Sequence, residues 1–333
     1  MENPDIVMQV ATAGEALIDL IVQADGRYEP CLGGAVYNLT RALARQGTGT
    51  LYLNPLSSDR FGRQLAAALV ADGVQLARAQ PVQQSTSLAV VGLDDTGHPN
   101  YAFYRQGVAD RAVTAEGLIE SCRREPALQM VCTGALALAP QDAAHYLPWL
   151  QAQREAGAVV VVDANLRPSV MPDLDAYRRN VHAALRCADV VKVSDEDLEI
   201  LGTPGANALE QAQHLLQASA ARLLVLTLGG QGACLLTCDG QRWQARESEP
   251  LEVVDTVGAG DCFLAGLMVA LLTRDEGAGG AGHVLAPLDD AAGRRLLAHA
   301  LASASLCVMR RGCVPPTREE VLARVRQVPC AFS

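Results

Sequence analysis

Apolar stretches typical of β-strands alternate with helical patterns along most of the chain. Two early strands are predicted at 7–13 and 16–22, and Val36, Leu39 and Leu43 share one face of a helix predicted over 35–46. Further strands are predicted at 50–54, 129–133, 158–163, 189–193 and 222–228, with helices between them centred near residues 65, 148, 182 and 211. The run 158–163 is apolar on both faces, as in a parallel strand covered by helices above and below. The pattern predicts an α/β fold with a doubly wound, mainly parallel sheet flanked by helices.

Two segments depart from this alternation. Residues 86–104 alternate as a hairpin, with strands at 87–93 and 100–104 around a turn at 94–97. Together with residues 16–32 they form a candidate small β-sheet, which is either a lid over an active site or an ordinary extension of a sheet edge. We expect one domain over 1–333, with lid strands inserted at about 16–32 and 86–112.

Charge narrows the classes of function. The chain carries 27 basic and 37 acidic side chains, a net charge of −10, and Lys192 is its single lysine. The acidic balance argues against nucleic acid or an anionic membrane as the partner and favours a small molecule. Any mechanism that needs a P-loop lysine or a lysine Schiff base would have to use Lys192.

The positions of the apolar residues and of the cysteines indicate in which cellular compartment the protein works. No uninterrupted apolar run reaches the roughly 18 residues that span a membrane, and residues 1–5 lack the basic segment of a secretory signal, so we expect a cytoplasmic protein. The ten cysteines form no Cys-x-x-Cys pair and have no histidine at ligand spacing. This favours core packing in a reducing compartment.

The most informative stretch is Asp-Thr-Val-Gly-Ala-Gly-Asp at 255–261. We expect a strand just before it to feed a glycine turn that opens a long apolar helix, whose first N–H groups lack intrahelical partners. The small residues Gly258, Ala259 and Gly260 would let an anion approach these amides. Asp261 could accept the proton of a hydroxyl that attacks a phosphoryl group, while the amides hold the phosphate charge. A plain helix cap explains the same aspartate, so both interpretations stay open on this pattern alone.

Other glycine-rich motifs do not fit. A Walker A loop needs Gly-Lys-Ser or Gly-Lys-Thr, and neither tripeptide occurs in the chain. A dinucleotide fingerprint starting at Gly258 would need glycine at Phe263, and the glycines at 229–232 lead into a strand where that fingerprint needs a helix. Hydride transfer is therefore disfavoured.

The stretch 255–261 resembles the C-terminal motif of the ribokinase-like (PfkB) carbohydrate kinases. Their N-terminal motif is matched by Gly-Gly-Ala-Val-Tyr-Asn-Leu-Thr-Arg-Ala-Leu-Ala at 33–44, and the segments 14–19, 56–62 and 227–232 extend the similarity over essentially the whole chain. The segment 103–111 is most similar to bacterial fructokinases. The resemblance implies that the chain transfers the γ-phosphate of Mg-ATP to a sugar, with a primary hydroxyl of D-fructose as the expected acceptor and Asp261 as general base.

The resemblance also implies contacts to the sugar. Asp19 would accept hydrogen bonds from two neighbouring hydroxyls, as a carboxylate can. Gly33 and Gly34 would let the backbone approach the sugar. Asn38, one turn into the following helix, would offer a donor and an acceptor.

The lid and the strand at 158–163 supply further candidates. Strand alternation places Phe103 and Arg105 on one face and Tyr104 on the other, and we expect the first two to cover the sugar and exclude water. Asn165 and Arg167 follow the strand, where open α/β sheets bind ligands. They are candidates for contacting substrate or the transferred phosphate, with a surface ion pair as the alternative for Arg167.

Nucleotide contacts are implied near the ends of two later strands. Thr227, Gly229 and Gly232 belong to the segment that resembles the family's ATP loop. Ser194, directly after the strand at 188–193, is a further candidate for nucleotide binding. Lys192, near the end of the strand at 188–193, would either contact a nucleotide phosphate or reach solvent.

Two ions are implied. The family's Asn-x-x-Glu element, which helps hold magnesium through water, reads Ser-Asp-Glu-Asp at 194–197, so Asp197 is the candidate. A helix cap with acids in the first turn explains the same letters. The resemblance also implies a possible K⁺ site formed by Asp255 and the carbonyl of Val257.

Two alternative functions and one assembly state complete the expectations. A 2-keto-3-deoxygluconate kinase shares the architecture, and Arg105 with Arg167 could face its substrate carboxylate. A sugar-sensing regulatory protein without catalysis is a second alternative. By resemblance we expect a homodimer that uses the lid sheets as its interface.

Overall fold

A computed structural model describes residues 7–23, 25–93, 99–168, 171–274 and 284–333. In chain order its strands are β1 (Val10–Thr12), β2 (Leu17–Val22), β3 (Tyr28–Gly33), β4 (Thr50–Tyr52), β5 (Gln75–Leu76), β6 (Ser87–Leu93), β7 (Pro99–Tyr104), β8 (Met130–Gly134), β9 (Val159–Asp163), β10 (Val190–Ser194), β11 (Leu223–Thr227), β12 (Ala233–Thr237), β13 (Arg242–Arg246) and β14 (Ala331–Phe332). Its α-helices are α1 (Ala35–Arg45), α2 (Arg60–Ala71), α3 (Ala115–Arg123), α4 (Ala143–Glu155), α5 (Leu174–Cys187), α6 (Asp195–Leu201), α7 (Ala208–Ala218), α8 (Ala259–Leu272), α9 (Asp290–Val308) and α10 (Arg318–Gln327).

The main sheet has the strand order β14-β13-β12-β11-β10-β9-β8-β1-β4-β5. Strands β5 through β11 in this order pair in parallel, and β12, β13 and β14 add an antiparallel edge beside β11. The predicted doubly wound, mainly parallel α/β fold is confirmed. The chain order reverses around β1, which lies between β4 and β8, and ligands bind outside such a switch point in open sheets.

Helices cover both faces of the main sheet. Val160 and Val162 of β9 belong to the apolar cluster that includes α3 to α7, whereas Val159 and Val161 belong to the cluster that includes α1, α8 and α9. The alternating valines are therefore buried on both faces, which explains the uninterrupted apolar run at this position.

A separate four-stranded sheet has the order β3-β2-β6-β7. β2 pairs with β6 in parallel and with β3 antiparallel, and β6 and β7 form an antiparallel hairpin. Ile18 of this sheet packs in one cluster with Leu65 and Leu69 of α2. The predicted small sheet is confirmed, while the predicted turn at 94–97 lies outside the described residues.

The strand expected just before Asp255 is wrong. Val253 and Val254 are exposed, and residues 251–254 form no strand. The amides of Val254 and Asp255 instead donate to the carbonyl oxygen of Val308, at 2.8 and 3.1 Å. The segment is thus held to the end of α9 and not to a neighbouring strand. Within the described ranges, no helix has the length and apolar character needed to cross a membrane.

Candidate active site

The candidate site lies where α1 and α8 begin, beside the carboxyl ends of β8 and β9. A small cavity opens there, and its lining residues are Ala35, Val36, Leu39, Thr133, Gly134, Ala135 and Asp163. Gly134 is required at this position, since a Cβ would lie 2.2 Å from the carbonyl oxygen of Asp163. The cavity therefore sits at the edge of the sheet that the doubly wound topology favours for ligands.

The turn that opens α8 has the predicted glycine geometry. Gly258 precedes the helix with φ +77°, and a Cβ there would lie 2.2 Å from the Sγ atom of Cys313. The amide of Ala259 donates to the carbonyl of Thr256 at 3.2 Å, which closes the turn. In the described part of the chain, the amides of Gly260 and Asp261 donate to no backbone carbonyl. These are the N–H groups left for an anion.

Asp261 is buried in the first turn of α8 and accepts a hydrogen bond from Asn38. The Nδ2 atom of Asn38 donates to Oδ2 of Asp261 at 3.0 Å, which joins α1 to α8. Burial and the nearby Asp163 raise the pKa of Asp261 to about 7, while the Asn38 bond and the positive charges of Lys192 and Arg167 oppose the rise. A carboxyl with this pKa suits a general base near neutral pH.

Lys192 forms a buried ion pair with Asp163. Its Nζ lies 2.8 and 3.0 Å from the two carboxylate oxygens, and only 4% and 8% of the two side chains are exposed. The alternative that this lysine reaches solvent is wrong. Strand β10 pairs with β9 in a register that places Lys192 opposite Asp163. Burial alone would lower the pKa of Lys192, but the surrounding carboxylates raise it, so the ammonium stays charged.

The ammonium of Lys192 also lies against the turn that opens α8. A Cβ built at Gly260 would be 3.2 Å from Nζ. The structure thus brings the one lysine, Asp163 and Asp261 together with the open amides. Sequence reasoning missed Asp163, although an aspartate that ends a buried apolar strand is the kind of signal that marks such a site.

The expected sugar-binding residues lie beside the start of α1. A Cβ at Gly33 would be 2.1 Å from Oδ2 of Asp19, and one at Gly34, where φ is +109°, would be 2.7 Å from the carbonyl of Glu15. Both glycines therefore keep space for acidic neighbours. Burial raises the pKa of Asp19 to about 6, and the positive charge of Arg167 opposes the rise.

Glu15 is a site residue that sequence reasoning missed. Its Oε1 accepts the amide of Ala35 at 2.9 Å, at the beginning of α1. Burial raises the pKa of Glu15 to about 7, against the opposing charge of Arg105. Its position just after β1 was the available signal, because ligand-binding acids often follow buried strands of such sheets.

Residues 103–105 have the alternating orientation that the sequence predicts. Phe103 packs against the apolar cluster that includes α3 to α7, and 61% of Tyr104 is exposed on the opposite face of β7. Arg105 turns inward, where its Nη1 donates to the carbonyl of Leu136 at 3.3 Å and its Nη2 lies 3.9 Å from buried Asp110. The expected alternation is confirmed, and Asp110 is a further acid that the sequence did not single out.

Several buried polar atoms around this cavity have no hydrogen-bond partner among the described residues. They are Oε2 of Glu15, Oδ1 of Asn38, Nε of Arg105 and Oδ2 of Asp110. Leaving such an atom unpaired costs about 1–3 kcal/mol, so their grouping here points to a polar ligand.

The expected nucleotide residues lie along the same edge of the sheet. Ser194 and Thr227 are register partners at the ends of β10 and β11, and Thr227 Oγ1 donates to the carbonyl of Val193 at 3.4 Å. Gly229 and Gly232 have φ values of +52° and +94° and shape the turn into β12. None of these side chains or turns contacts Asp261 among the hydrogen bonds of the described residues.

Ser194 caps the start of α6, and Asp197 completes a capping box with it, as in the second interpretation of this segment. The carboxylate of Asp197 accepts the amides of Ser194 at 2.8 Å and Leu166 at 2.7 Å, and the Ser194 hydroxyl accepts the amide of Asp197. Each oxygen of this buried carboxylate therefore already has one amide donor.

The side chains of Asp255, at the predicted K⁺ site, and of Arg167, a predicted substrate contact, also form hydrogen bonds with the backbone. The carboxylate of Asp255 accepts the amides of Val257 at 3.0 Å and Gly312 at 2.9 Å. Asn165 has φ +38°, and the exposed guanidinium of Arg167 donates to the carbonyls of Asn165 and Leu166. Arg167 makes no ion pair among the described residues, although its charge acts on Asp19 and Asp261.

The chain is similar to several known fructokinases. A fructokinase of Rhizobium leguminosarum bv. trifolii is 32% identical over 266 residues, which are 79% of this chain and 79% of that protein. The structure of a fructokinase from Xylella fastidiosa with bound ATP has a TM-score of 0.80 at 26% identity and covers 96% of this chain and 98% of its own. A double-mutant fructokinase from Vibrio cholerae O395, bound to fructose, ADP and a potassium ion, has a TM-score of 0.78 at 26% identity and covers 96% and 99%.

The family assignment rests on nearly the whole chain. Residues 8–320 match the pfkB family carbohydrate kinases, a span that contains both sequence motifs, the four-stranded sheet and every strand of the main sheet except β14. The chain therefore belongs to the pfkB family of carbohydrate kinases, which transfer phosphate to a sugar hydroxyl.

Proposed function

We propose that this protein is an ATP-dependent fructokinase that phosphorylates a primary hydroxyl of D-fructose. The observation that carries the proposal is Asp261, a buried carboxyl with a pKa of about 7 beside the open amides that begin α8. The fructokinase names of the similar proteins support the choice of sugar. The unpaired polar atoms of Glu15, Asn38 and Arg105 support a ligand with many hydroxyl groups.

Asp261 acts as the general base in the proposed reaction. Its carboxylate takes the proton of the sugar hydroxyl while that oxygen bonds to the γ-phosphorus of ATP. The bond from the γ-phosphorus to the bridging oxygen breaks, and the pair of electrons leaves with ADP. The Asn38 amide holds the carboxylate in place through its 3.0 Å bond.

The charge on the transferred phosphate is held mainly by the backbone. The amides of Gly260 and Asp261 point out of the first turn of α8, and Gly258 and Ala259 keep the approach free of large side chains. Lys192 adds positive charge at Gly260, although Asp163 neutralises part of it. Preorganised donors of this kind stabilise a transition state without reorganising during the reaction.

The sugar is held on the other side of the base. Asp19, Gly33 and Gly34 would bind its hydroxyls at the start of α1, and Phe103 would exclude water from above. Asn165 and Arg167 would contact substrate or phosphate from the end of β9. Arg105 faces the buried carboxyl of Asp110, so its charge is already balanced and a substrate carboxylate gains little from it. This disfavours 2-keto-3-deoxygluconate.

The nucleotide lies along the ends of β10 and β11 in this proposal, near Ser194, Thr227, Gly229 and Gly232. Mg²⁺ enters as part of Mg-ATP, since this ion keeps several waters and binds through substrate phosphates. Asp197 would act on it only through water, because both of its oxygens already accept amides.

Two further expectations belong to the proposal. A K⁺ ion would use the Asp255 carboxylate and the Val257 carbonyl and would neutralise charge near the phosphate. A homodimer would pair the lid sheets, whose outer surface carries the exposed Tyr28 and Tyr104.

The decisive experiment measures ADP release from Mg-ATP with fructose, ribose, 2-keto-3-deoxygluconate and nucleosides as acceptors. Fructose should give the strongest response, and Asp261→Asn should lower kcat by about 10²- to 10⁴-fold with its circular dichroism unchanged. Asp239→Asn, in the turn between β12 and β13 and outside the site, should behave as wild type. Near-normal turnover of Asp261→Asn, or a response to ribose alone, would refute the proposal.

A further inference from the structure

Three cysteine side chains converge behind the turn that opens α8. Cys262 lies in the first turn of α8, Cys307 in the last turn of α9 and Cys313 in the segment between α9 and α10. Their Sγ atoms all lie within 4.8 Å of one another. The other free cysteines of the described residues form no such group, so the convergence is specific to this place.

The cluster contacts the turn from which the open amides arise. The Cys307 thiol donates to the carbonyl of Val257 at 3.6 Å. The Sγ atom of Cys313 occupies the position next to Gly258 where any side chain would collide with it. Cys262 follows Asp261 directly in sequence. Any change in the separation of the three sulfur atoms is therefore transmitted to residues 257–261.

The arrangement suits a metal better than a disulfide. A disulfide joins two sulfur atoms at about 2.05 Å and would leave the third without a role. Thiolates that bind Zn²⁺ lie about 2.3 Å from the metal, which in a tetrahedral site sets the sulfur atoms roughly 3.8 Å apart. The observed upper limit of 4.8 Å lies within about 1 Å of that spacing.

We propose that Cys262, Cys307 and Cys313 form a binding site for one thiolate-preferring metal ion of the Zn²⁺ or Cu⁺ type. Three protein sulfur atoms leave a fourth position for water in the Zn²⁺ case. Soft sulfur ligands favour these ions over Mg²⁺ or Ca²⁺, so the site is chemically separate from the binding of Mg-ATP. Every thiol that is protonated before binding releases its proton to solvent.

The exposure of the three cysteines fits this role. Cys262 and Cys307 are buried, whereas Cys313 is half-buried and gives the cluster an approach from the surface.

Metal binding should slow phosphoryl transfer, a consequence that rests on the proposed function. Drawing the sulfur atoms together moves Val257 and Gly258, and a displacement of about 1 Å at a reacting site can reduce the rate about 100-fold. We therefore expect the metal-bound enzyme to be at least about tenfold slower.

The binding test uses Cd²⁺ as the probe with full-length protein kept reduced and free of oxygen. Wild type should show the ultraviolet sulfur-to-cadmium charge-transfer band, which should saturate at one Cd²⁺ ion per chain. Zn²⁺ should displace the Cd²⁺ and remove the band. Cys313→Ser should weaken binding at least about tenfold, whereas Cys187→Ser, a half-buried cysteine outside the cluster, should bind as wild type. The ¹¹³Cd chemical shift of loaded wild type counts the sulfur ligands without any substitution. No band, or equal bands in wild type and Cys313→Ser, would overturn the site.

The kinase assay tests the consequence separately. Cd²⁺ should slow turnover of wild type and Cys187→Ser equally and should slow Cys313→Ser less. Competition of Cd²⁺ with Mg-ATP would affect all three proteins equally, so the difference between Cys313→Ser and the other two measures the effect of the cysteine site alone. Equal slowing of the three proteins would overturn the link to the turn. An enzyme inactive with every sugar would refute the proposed function and leave the cadmium result intact.

Discussion

Replacing Lys192 with methionine removes the ammonium of the buried pair and keeps most of the side-chain volume. Asp163 then remains buried without its partner, next to Asp197 and Asp261, whose charges also act on the lysine. We expect the free energy of unfolding to fall by about 3–5 kcal/mol, the usual loss when one member of a buried pair is removed.

The magnitude follows from distance and burial. At 2.8 Å and an effective dielectric constant of about 20, the attraction of the two charges is about 6 kcal/mol, part of which the desolvation of the pair offsets. Asp163→Asn should lose less than Lys192→Met, because Asp197 and Asp261 still face the lysine. The double variant should recover much of the loss of Lys192→Met, since neither charge then stays unpaired.

The assay is urea unfolding followed by circular dichroism and tryptophan fluorescence, whose transitions must coincide for the comparison to hold. Arg123→Met is the matched control, because Arg123 pairs with Glu120 at the surface with 72% of its side chain exposed and should change stability by less than about 1 kcal/mol. A loss below about 1 kcal/mol in Lys192→Met, or additive losses in the double variant, would refute the reasoning.

Three further predictions concern the steady-state kinetics with fructose. The kcat/KM for fructose should rise with pH through about 7, since only the ionised Asp261 accepts a proton and its pKa in the free enzyme is about 7; a flat profile across neutrality in steady-state assays would contradict this. Gly33→Ala should raise the KM for fructose at least about tenfold, roughly 1.4 kcal/mol, because the new Cβ would displace Asp19, while the melting temperature changes little. Phe103→Ala should raise the same KM more than Tyr104→Ala, whose side chain lies on the exposed face; equal effects would contradict the lid assignment.

The parallel part of the sheet could be predicted because its strands are buried on both faces. In β9 and β10 this burial selects nearly uninterrupted valine runs, which are visible in the sequence. Strand β13, next to the antiparallel edge, alternates exposed and buried residues. The edge strand β14 has two residues whose strand conformation depends on pairing with β13. The strand expected before Asp255 failed because Val308 supplies a distant carbonyl to its amides, which no local pattern indicates.

The motifs predicted individual site residues, and tertiary packing determined how they interact. Asn38 was predicted to contact the sugar, and its Oδ1 atom has no partner among the described residues. Its amide also donates to Asp261, 223 positions away, because α1 packs beside α8. Lys192 could not be placed from its own strand, since its burial depends on Asp163 across the register of β9 and β10. The cysteine cluster was missed for the same reason, as its members come from three separate segments.

The pKa of Asp261 depends on a balance between burial and nearby charges, and this balance gives the single lysine a role. Burial alone would keep this carboxyl protonated and useless as a base, and the Asn38 bond, Lys192 and Arg167 pull its pKa down to about 7. Lys192 does so while paired with Asp163, so its net pull is weaker than that of an unpaired ammonium. Because the amides at the start of α8 can hold the phosphate, the lysine is left to set the proton affinity of the base. In the proposed mechanism Lys192 thus acts through Asp261, whose pKa it lowers. Its ion pair with Asp163 determines how strongly it lowers that pKa.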